Sequence, residues 1–453
     1  MAFLANILST LSARVQLWAM ALTAVARLAG MAFSAWRGPD GTFARRLGAR
    51  ITTPEGLRLV FSALRALQPN LALSFKAVMA YDNTGTALVS RFADVKEVLA
   101  RPADFEVVYQ PRMEMLTGGA NFFLGMQDTA RYARDVSNMR LAARREDAAG
   151  IIAPFVAAAA SAIVAAAPGR IDVPRDLGLP LAARMAALYF GVPRPAEDRL
   201  IAITTTLFWY LFIDLGADAA LDARAVEAAE ELREALDGVI AARKATSGGP
   251  EDVLSRCLAL QRAGAPGMDD ISIRNNLLGL LIGAVPTTSR AATQALDQLL
   301  LRPDALAGAQ QAARDDNDAL LADHVFEALR FNPVNPVIYR RAARDTVVAA
   351  HTLRQRRIAK GTMVMAANLS AMFDPLALDA PNRFRTDRPA GHYILWGDGQ
   401  HTCFGAHINR VAIPGLLKPL LQRPGLRRAA GPAGQIDTAD TPFPVHFGVQ
   451  FGA

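Results

Sequence analysis

Cys403 lies in Trp396-Gly397-Asp398-Gly399-Gln400-His401-Thr402-Cys403-Phe404-Gly405, and this decapeptide constrains the chain more than any other stretch. Gly397, Gly399 and Gly405 give the backbone freedom in φ and allow close approach to a flat ligand. An apolar helical pattern follows, so the free N–H groups of its first turn point back at the sulfur and favour its anion. His401 and Arg410 add positive charge nearby in the sequence. Such a cysteine has three readings: an inert reduced thiol in a tight turn, a zinc ligand together with His401 and His407, or a thiolate bound to a bulky metal cofactor. A closed zinc site needs a fourth ligand, and Cys257 is the only other thiol.

The loop resembles the cysteine signature of the cytochrome P-450 superfamily, Phe-x-x-Gly-x-His-x-Cys-x-Gly. Gly399, His401, Cys403 and Gly405 match it, and Trp396 stands where the family usually has Phe. The resemblance implies haem b with Cys403 as the axial ligand of the iron, and a soft anionic sulfur supported by amide donors suits that bond. It also implies a haem-contacting position for Trp396, Gly399, His401 and Gly405. Covalent attachment of haem through Cys-x-x-Cys-His is excluded, because that motif is absent.

Three further motifs follow the family order over residues 327–410. Glu327 and Arg330 form a Glu-x-x-Arg; residues three apart share a helical face, so carboxylate and guanidinium can lock into one rigid fork. The spacing recurs at Glu55/Arg58 and Glu230/Arg233, which read as surface pairs, but only Glu327 is followed by a helix end at Phe331-Asn332-Pro333 and an extended segment from Val334 to Ile338. In the family an arginine at the position of Arg340 binds a haem propionate, a role that Arg341 or Arg344 could share. Val337 and Ile338 fall beside the substrate in the same scheme. Arg357 to Val364 resembles the Ile-Pro-x-Gly hairpin, with Ala359 for the proline, and Asp374-Pro375 with Pro381 and Phe384 resembles the meander before the cysteine loop.

Upstream, Asp269 to Leu301 reads as one long helix of roughly 50 Å. Its centre, Gly283-Ala284-Val285-Pro286-Thr287-Thr288, falls where the family carries a small-residue segment with an acid and a threonine over the oxygen-binding face of the haem. Ala284 leaves room for a ligand, and Thr287 matches the oxygen-side threonine. Pro286 replaces the acid. A proline there costs about 3 kcal/mol and frees the Ile282 carbonyl, and it is either a neutral replacement in a bent helix or the sign of altered proton delivery.

No linker-like run divides the 453 residues, and no internal repeat is visible. Ala-rich helical patterns dominate from about 150 to 330, while strand-like stretches cluster after 334 and around Tyr81 to Phe92. The expected architecture is therefore mainly α with small β-sheets, the cytochrome P-450 fold, with residues 1–40 as an amphipathic N-terminal helix and 41–453 as a single haem-thiolate catalytic domain. The resemblance is strong from residue 327 onward and loose before 250. Two unpaired cysteines fit a reducing, cytoplasmic compartment. A net charge of +7, with no lysine-rich tail and no aromatic-basic interleaving, argues against nucleic acid as a partner.

Arg131, Arg134, Arg140, Arg144 and Arg145 share one helical stretch, with Asp135, Glu146 and Asp147 as partial neutralisers. In the family this helix flanks the side where an acidic electron-transfer protein docks, and Arg134 would be a propionate ligand, although Ala130 replaces the usual histidine. Before Pro39, Leu11, Val15, Trp18, Leu22, Val25, Ala29, Phe33 and Trp36 form one helical stripe with no acid in the segment. Arg27 opposite that stripe would be costly at mid-bilayer, so docking of the stripe on the body is preferred to contact with a membrane surface. Phe122, Phe123 and Phe208 read as core or, by the resemblance, as lid residues over an apolar substrate.

The reading is a haem-thiolate oxidoreductase that oxidises an apolar small molecule, as a monooxygenase fed by a ferredoxin-type donor. A peroxygenase or hydroperoxide-rearranging enzyme and a non-enzymatic haem protein are the alternatives.

Overall fold

The computed structural model describes residues 2–38, 41–192, 196–246 and 249–452, with side chains from Thr10 onward. Pro39 and Asp40, where the composition changes, lie outside the described residues. The chain folds as two compact units: Met1–Val78 with Asp82–Glu106 and Arg330–Thr402, and Met79–Tyr81 with Val107–Leu329 and Cys403–Ala453.

The first unit holds most of the β structure. Its five-stranded sheet runs in the order Asn70–Leu73, Thr86–Val89, Met363–Ala366, Ile338–Ala342, Phe105–Glu106. Only Thr86–Val89 against Met363–Ala366 is parallel. The hairpin expected around Ala359 does not form: Arg356–Ile358 pairs with Thr346–Val348 in a separate two-stranded sheet, and the chain turns through Gly361 at φ +81° before Met363–Ala366 joins the five-stranded one. Val95, Val98, Leu99, Phe105, Val337, Val364 and Met372 belong to one buried core, which ties the sheet to its helices.

The first helix, Ala2–Arg37, does pack on the body, but through the other face from the one expected. Leu17, Ala21 and Ala24 are buried, and Ala24 with Leu28 and Met31 meets Leu59 and Ala63 of helix Pro54–Leu67. The predicted stripe points outward instead, with Val15 70% and Leu22 69% exposed. Small residues let two helices approach closely, so alanines on one face outcompete larger side chains on the other. Arg27 reaches Glu55 of the neighbouring helix. Thr10–Arg37 is long and apolar enough to cross a membrane by length and composition.

The second unit is largely helical, with a three-stranded sheet of Arg170–Asp172, Gly448–Gln450 and Arg427–Arg428. Its axis is helix Asp270–Leu300. Asp269 caps it, its carboxylate accepting from the Ser272 N–H at 2.9 Å, and Asp270 adds a favourable charge in the first turn. Pro286 sits inside the helix. Helices Leu179–Phe190, Glu197–Phe208, Ala219–Ala245 and Ala406–Leu421 all pack on this axis.

Candidate active site

Within the second unit Cys403 precedes helix Ala406–Leu421, whose N-cap is Gly405. It is a free thiol and lies deep within the unit, although the residue keeps some exposed surface. Burial pushes its pKa up; the N–H groups of Gly405 and Ala406 and the charge of Arg140 act in the opposite direction. Two amide donors and a nearby positive charge suit an anionic sulfur held as a metal ligand. Arg410, expected beside the sulfur, is exposed, and the cation acting on the thiol is Arg140 from helix Ala130–Ala142. Its Nη1 donates to the Phe404 carbonyl at 2.8 Å and lies 3.4 Å from His407 Nδ1. His407 is pushed below its ordinary pKa by burial and by Arg140. Among the described residues, no three His, Cys, Asp or Glu side chains converge as a metal cluster.

Arg134 does not share this position. It is exposed, its Nε donates to Asp135 at 2.8 Å, and a Cβ at Gly267 would touch its guanidinium. Arg131 also pairs with Asp135, and Arg144 with Glu251. Asp147 is no surface neutraliser: it is buried, with Arg256 at 2.5 Å and the Tyr189 hydroxyl at 2.8 Å. Sequence spacing places these arginines on one helix, but their partners arrive from distant segments.

The central helix brings Ala284 and Thr287 to one partly exposed stripe. The Thr287 hydroxyl donates to the Gly283 carbonyl, which leaves its oxygen free to accept a second bond. A Cβ at Gly283 would meet nothing within 4 Å. Pro286 itself is buried, while Thr288 bonds Asn409 of the cysteine helix at 3.0 Å. Phe123 packs at 5.2 Å on the ring of Phe404, next to Cys403, and Phe122 lies where a Cβ at Gly279 would be. Phe208 stands apart from them, between Phe212 at 4.7 Å and Phe443 at 5.9 Å.

The first unit carries the remaining residues. Gly397 and Gly399 have φ of +78° and +72°, and a Cβ at Gly399 would lie 2.6 Å from the Leu99 carbonyl. These two glycines are required by conformation. Gly405 is not, because its φ is −83°. Trp396 is half-buried at the start of this turn, and His401 ends the helical turn Gly399–His401. Arg340 is buried on strand Ile338–Ala342, its Nη1 donating to the Tyr339 carbonyl at 2.9 Å. Arg341 and Arg344 are engaged elsewhere, by Glu106 at 2.7 Å and by Asp104 at 2.5 Å. Val337 belongs to the core, with Ile338 packed against it.

Glu327 and Arg330 share helix Asp318–Phe331 and are both 0% exposed. Arg330 donates to the Met372 carbonyl at 2.9 Å and to the Arg383 carbonyl at 3.2 Å, between the Phe331 and Phe373 rings. The other two Glu-x-x-Arg pairs differ: Glu55 is exposed and pairs with Arg27, and Arg233 bonds the Leu116 carbonyl.

Residues 83–424, most of the chain, match the family model "Cytochrome P450", written here cytochrome P-450. Protein AknT of Streptomyces galilaeus is 31% identical over 273 residues, covering 58% of this chain and 56% of its own. The Mycinamicin VIII C21 methyl hydroxylase of Micromonospora griseorubida is 26% identical over 359 residues, covering 78% and 86%. The chain also spans only 26% of a matched bifunctional dioxygenase–epoxy alcohol synthase of Pyricularia oryzae. The structure of P450BioI with hexadec-9Z-enoic acid-ligated acyl carrier protein superposes with a TM-score of 0.75 at 19% identity, covering 88% of this chain and 99% of that one. That likeness gives the fold, mainly α with small sheets. With the family model matched across most of its length, the chain belongs to the cytochrome P-450 family, whose prosthetic group is haem b.

Proposed function

We propose that this protein is a haem-thiolate monooxygenase that hydroxylates an apolar small molecule, with Cys403 as the axial ligand. The observation that carries the reading is the thiol itself, placed at a helix start with two amides directed at it and the charge of Arg140, held on the Phe404 carbonyl, beside it. Bound there, haem b would supply oxygen activation, with the thiolate pushing electron density toward the metal. Arg340 and His401 would take the propionates, and Trp396 and Gly399 would border the ring. Glu327 and Arg330 would act one step back, by fixing the segments that lead to the cysteine loop.

On the oxygen side, the Thr287 hydroxyl is oriented by its bond to Gly283 and can hold a proton or water there. Ala284 and Gly283 keep the helix surface low, so a substrate can lie against it. Phe122, Phe123 and Phe208 would exclude water around an apolar substrate. Electrons would come from a separate ferredoxin-type protein in the cytoplasm; Arg131, Arg134 and Arg144 of the Arg131–Arg145 stretch keep side chains exposed that an acidic partner could meet. The relative named as a methyl hydroxylase supports this reaction class.

A second reading has one observation in its favour. Pro286 places no titratable group beside Thr287, and a peroxide-driven enzyme would not need one.

The test is spectroscopic and then kinetic. Wild type should show the thiolate-type band of the ferrous carbonyl complex, and Cys403→Ser should lose it. Retention of that band in the variant would remove Cys403 as ligand. Turnover with ferredoxin and NAD(P)H, against turnover with peroxide alone, then separates the two readings.

A further inference from the structure

Helix Asp270–Leu300 is buried along most of its second half, yet one stripe keeps exposed surface: Gly279, Leu280, Gly283, Ala284, Thr287 and Arg290. Steps of three and four keep these residues on one face. Five are small, apolar or hydroxyl-bearing, and the sixth is a cation. We propose that Arg290 anchors an anionic group of the substrate, and that this enzyme therefore acts on a carboxylate carried by an apolar body. The inference rests on the reading that this stripe faces the substrate.

Arg290 makes no hydrogen bond or ion pair with any described residue, and its Nε is buried without a partner. An Nε without a partner also occurs in Arg256, but that guanidinium and the one of Arg112 each meet a carboxylate. Arg256 is held by Asp147 at 2.5 Å, and Arg112 by Asp214 at 2.8 Å. Burial lowers the Arg290 pKa to about 10, with no neighbouring charge or bond raising it again. The group is still fully protonated at neutral pH. Its Nε is buried while the residue keeps some exposed surface, so a ligand carboxylate reaching the guanidinium would supply the missing counterion through two parallel charge-assisted bonds.

The surroundings say what the rest of the ligand is. The guanidinium lies 5.8 Å from the centroid of Phe443. Phe443 meets Phe208, Phe208 meets Phe212, and Phe212 meets Tyr109 at 4.9 Å. An aromatic wall thus extends from the cation and suits an aliphatic or aromatic body. A cationic substrate would be repelled, and a wholly apolar one would cover the guanidinium and leave it unpaired.

The experiment uses haem-loaded, full-length protein and calorimetric titration with matched pairs: decanoate against methyl decanoate, and 4-phenylbutyrate against its methyl ester. Wild type should bind at least one acid more tightly than its ester. Arg290→Leu should weaken that acid by about 10- to 100-fold, as expected for loss of a charged hydrogen bond, with little change for the ester, and Arg290→Lys should recover part of the loss. Acids that bind no better than their esters in wild type, or not at all, would overturn the proposal without recourse to any variant. So would unchanged acid affinity in Arg290→Leu. Loss of haem from Arg290→Leu but not from Arg290→Lys would assign the charge to the cofactor and also overturn it. The ferrous carbonyl band is read separately, so a failure of the haem-thiolate reading stays distinguishable from a failure at Arg290.

Discussion

Arg140 grips Phe404 twice: its Nη1 donates to the Phe404 carbonyl at 2.8 Å, and its guanidinium lies 3.9 Å from the centroid of the same residue's ring. The residue held in this way is the neighbour of Cys403, so helix Ala130–Ala142 sets both the position of the cysteine turn and the charge beside the sulfur.

Arg140→Leu should therefore act on structure and on potential together. A hydrogen bond from a charged donor contributes about 1.5–3 kcal/mol, which should appear as a lower melting temperature of the haem-loaded protein. Loss of a positive charge near the sulfur favours the oxidised metal, so the reduction potential should fall. Redox titration checks this, and a potential equal to wild type would mean that Arg140 is only a structural brace.

Arg330→Ala should give protein that does not retain haem. Its two carbonyl partners, on Met372 and Arg383, would be left unpaired in the interior, at about 1–3 kcal/mol each. Arg330→Lys should fail as well, because an ammonium lacks the planar fork that spans two acceptors. Haem content and thermal unfolding are the measurements; normal values in both variants would make this Glu-x-x-Arg another ordinary pair.

Much of this is legible in the sequence because it is local. The cysteine turn, the Glu-x-x-Arg and the central helix are each set within about thirty residues of chain, and each stands where spacing and capping put it. Partners brought together by folding are not legible. Nothing in the Arg131–Arg145 stretch says that Arg140 turns inward to Phe404 while Arg134 stays on Asp135, nor that Asp147 meets Arg256 from more than a hundred residues away. The first helix misleads for a different reason. A stripe reading weights bulky side chains, whereas close packing selects the face of Ala21 and Ala24. Arg290 escapes a sequence reading because an arginine in a helical pattern reads as solvated and paired until its neighbours are known.

Asp147 gives a pH dependence of stability. Burial alone would raise its pKa, but Arg256, the Tyr189 hydroxyl and the Arg144 N–H together hold it below the ordinary carboxylate value. A carboxyl depressed in the folded state stabilises fully above its unfolded pKa of about 3.9, and that contribution is lost as pH falls through the lower folded value. Asp147→Asn should be less stable than wild type at pH 7 by up to about 3 kcal/mol, since it leaves Arg256 with only the exposed carboxylate of Glu251 at 3.4 Å. Denaturation curves at several pH values should show the difference holding down to about pH 4 and shrinking below it. A difference independent of pH would show that the amide preserves the network and that charge is not what holds it.

Pro286 should make electron-driven oxygen activation wasteful. It sits one residue before Thr287 and offers neither a titratable side chain nor an N–H, so proton supply on this face falls to the Thr287 hydroxyl and any water bound near the Ile282 carbonyl. Wild type paired with a surrogate ferredoxin should release a large share of its electrons as hydrogen peroxide, and should accept added peroxide comparatively well. Pro286→Asp should raise product formed per NAD(P)H consumed. It should also restore a backbone N–H to the helix, and removal of an interior proline is favourable by about 3 kcal/mol when the helix can straighten. A higher melting temperature would therefore accompany the gain in coupling. A wild type already tightly coupled with a confirmed substrate would mean that Thr287 and water suffice, and that the proline is a neutral occupant of the acid's position.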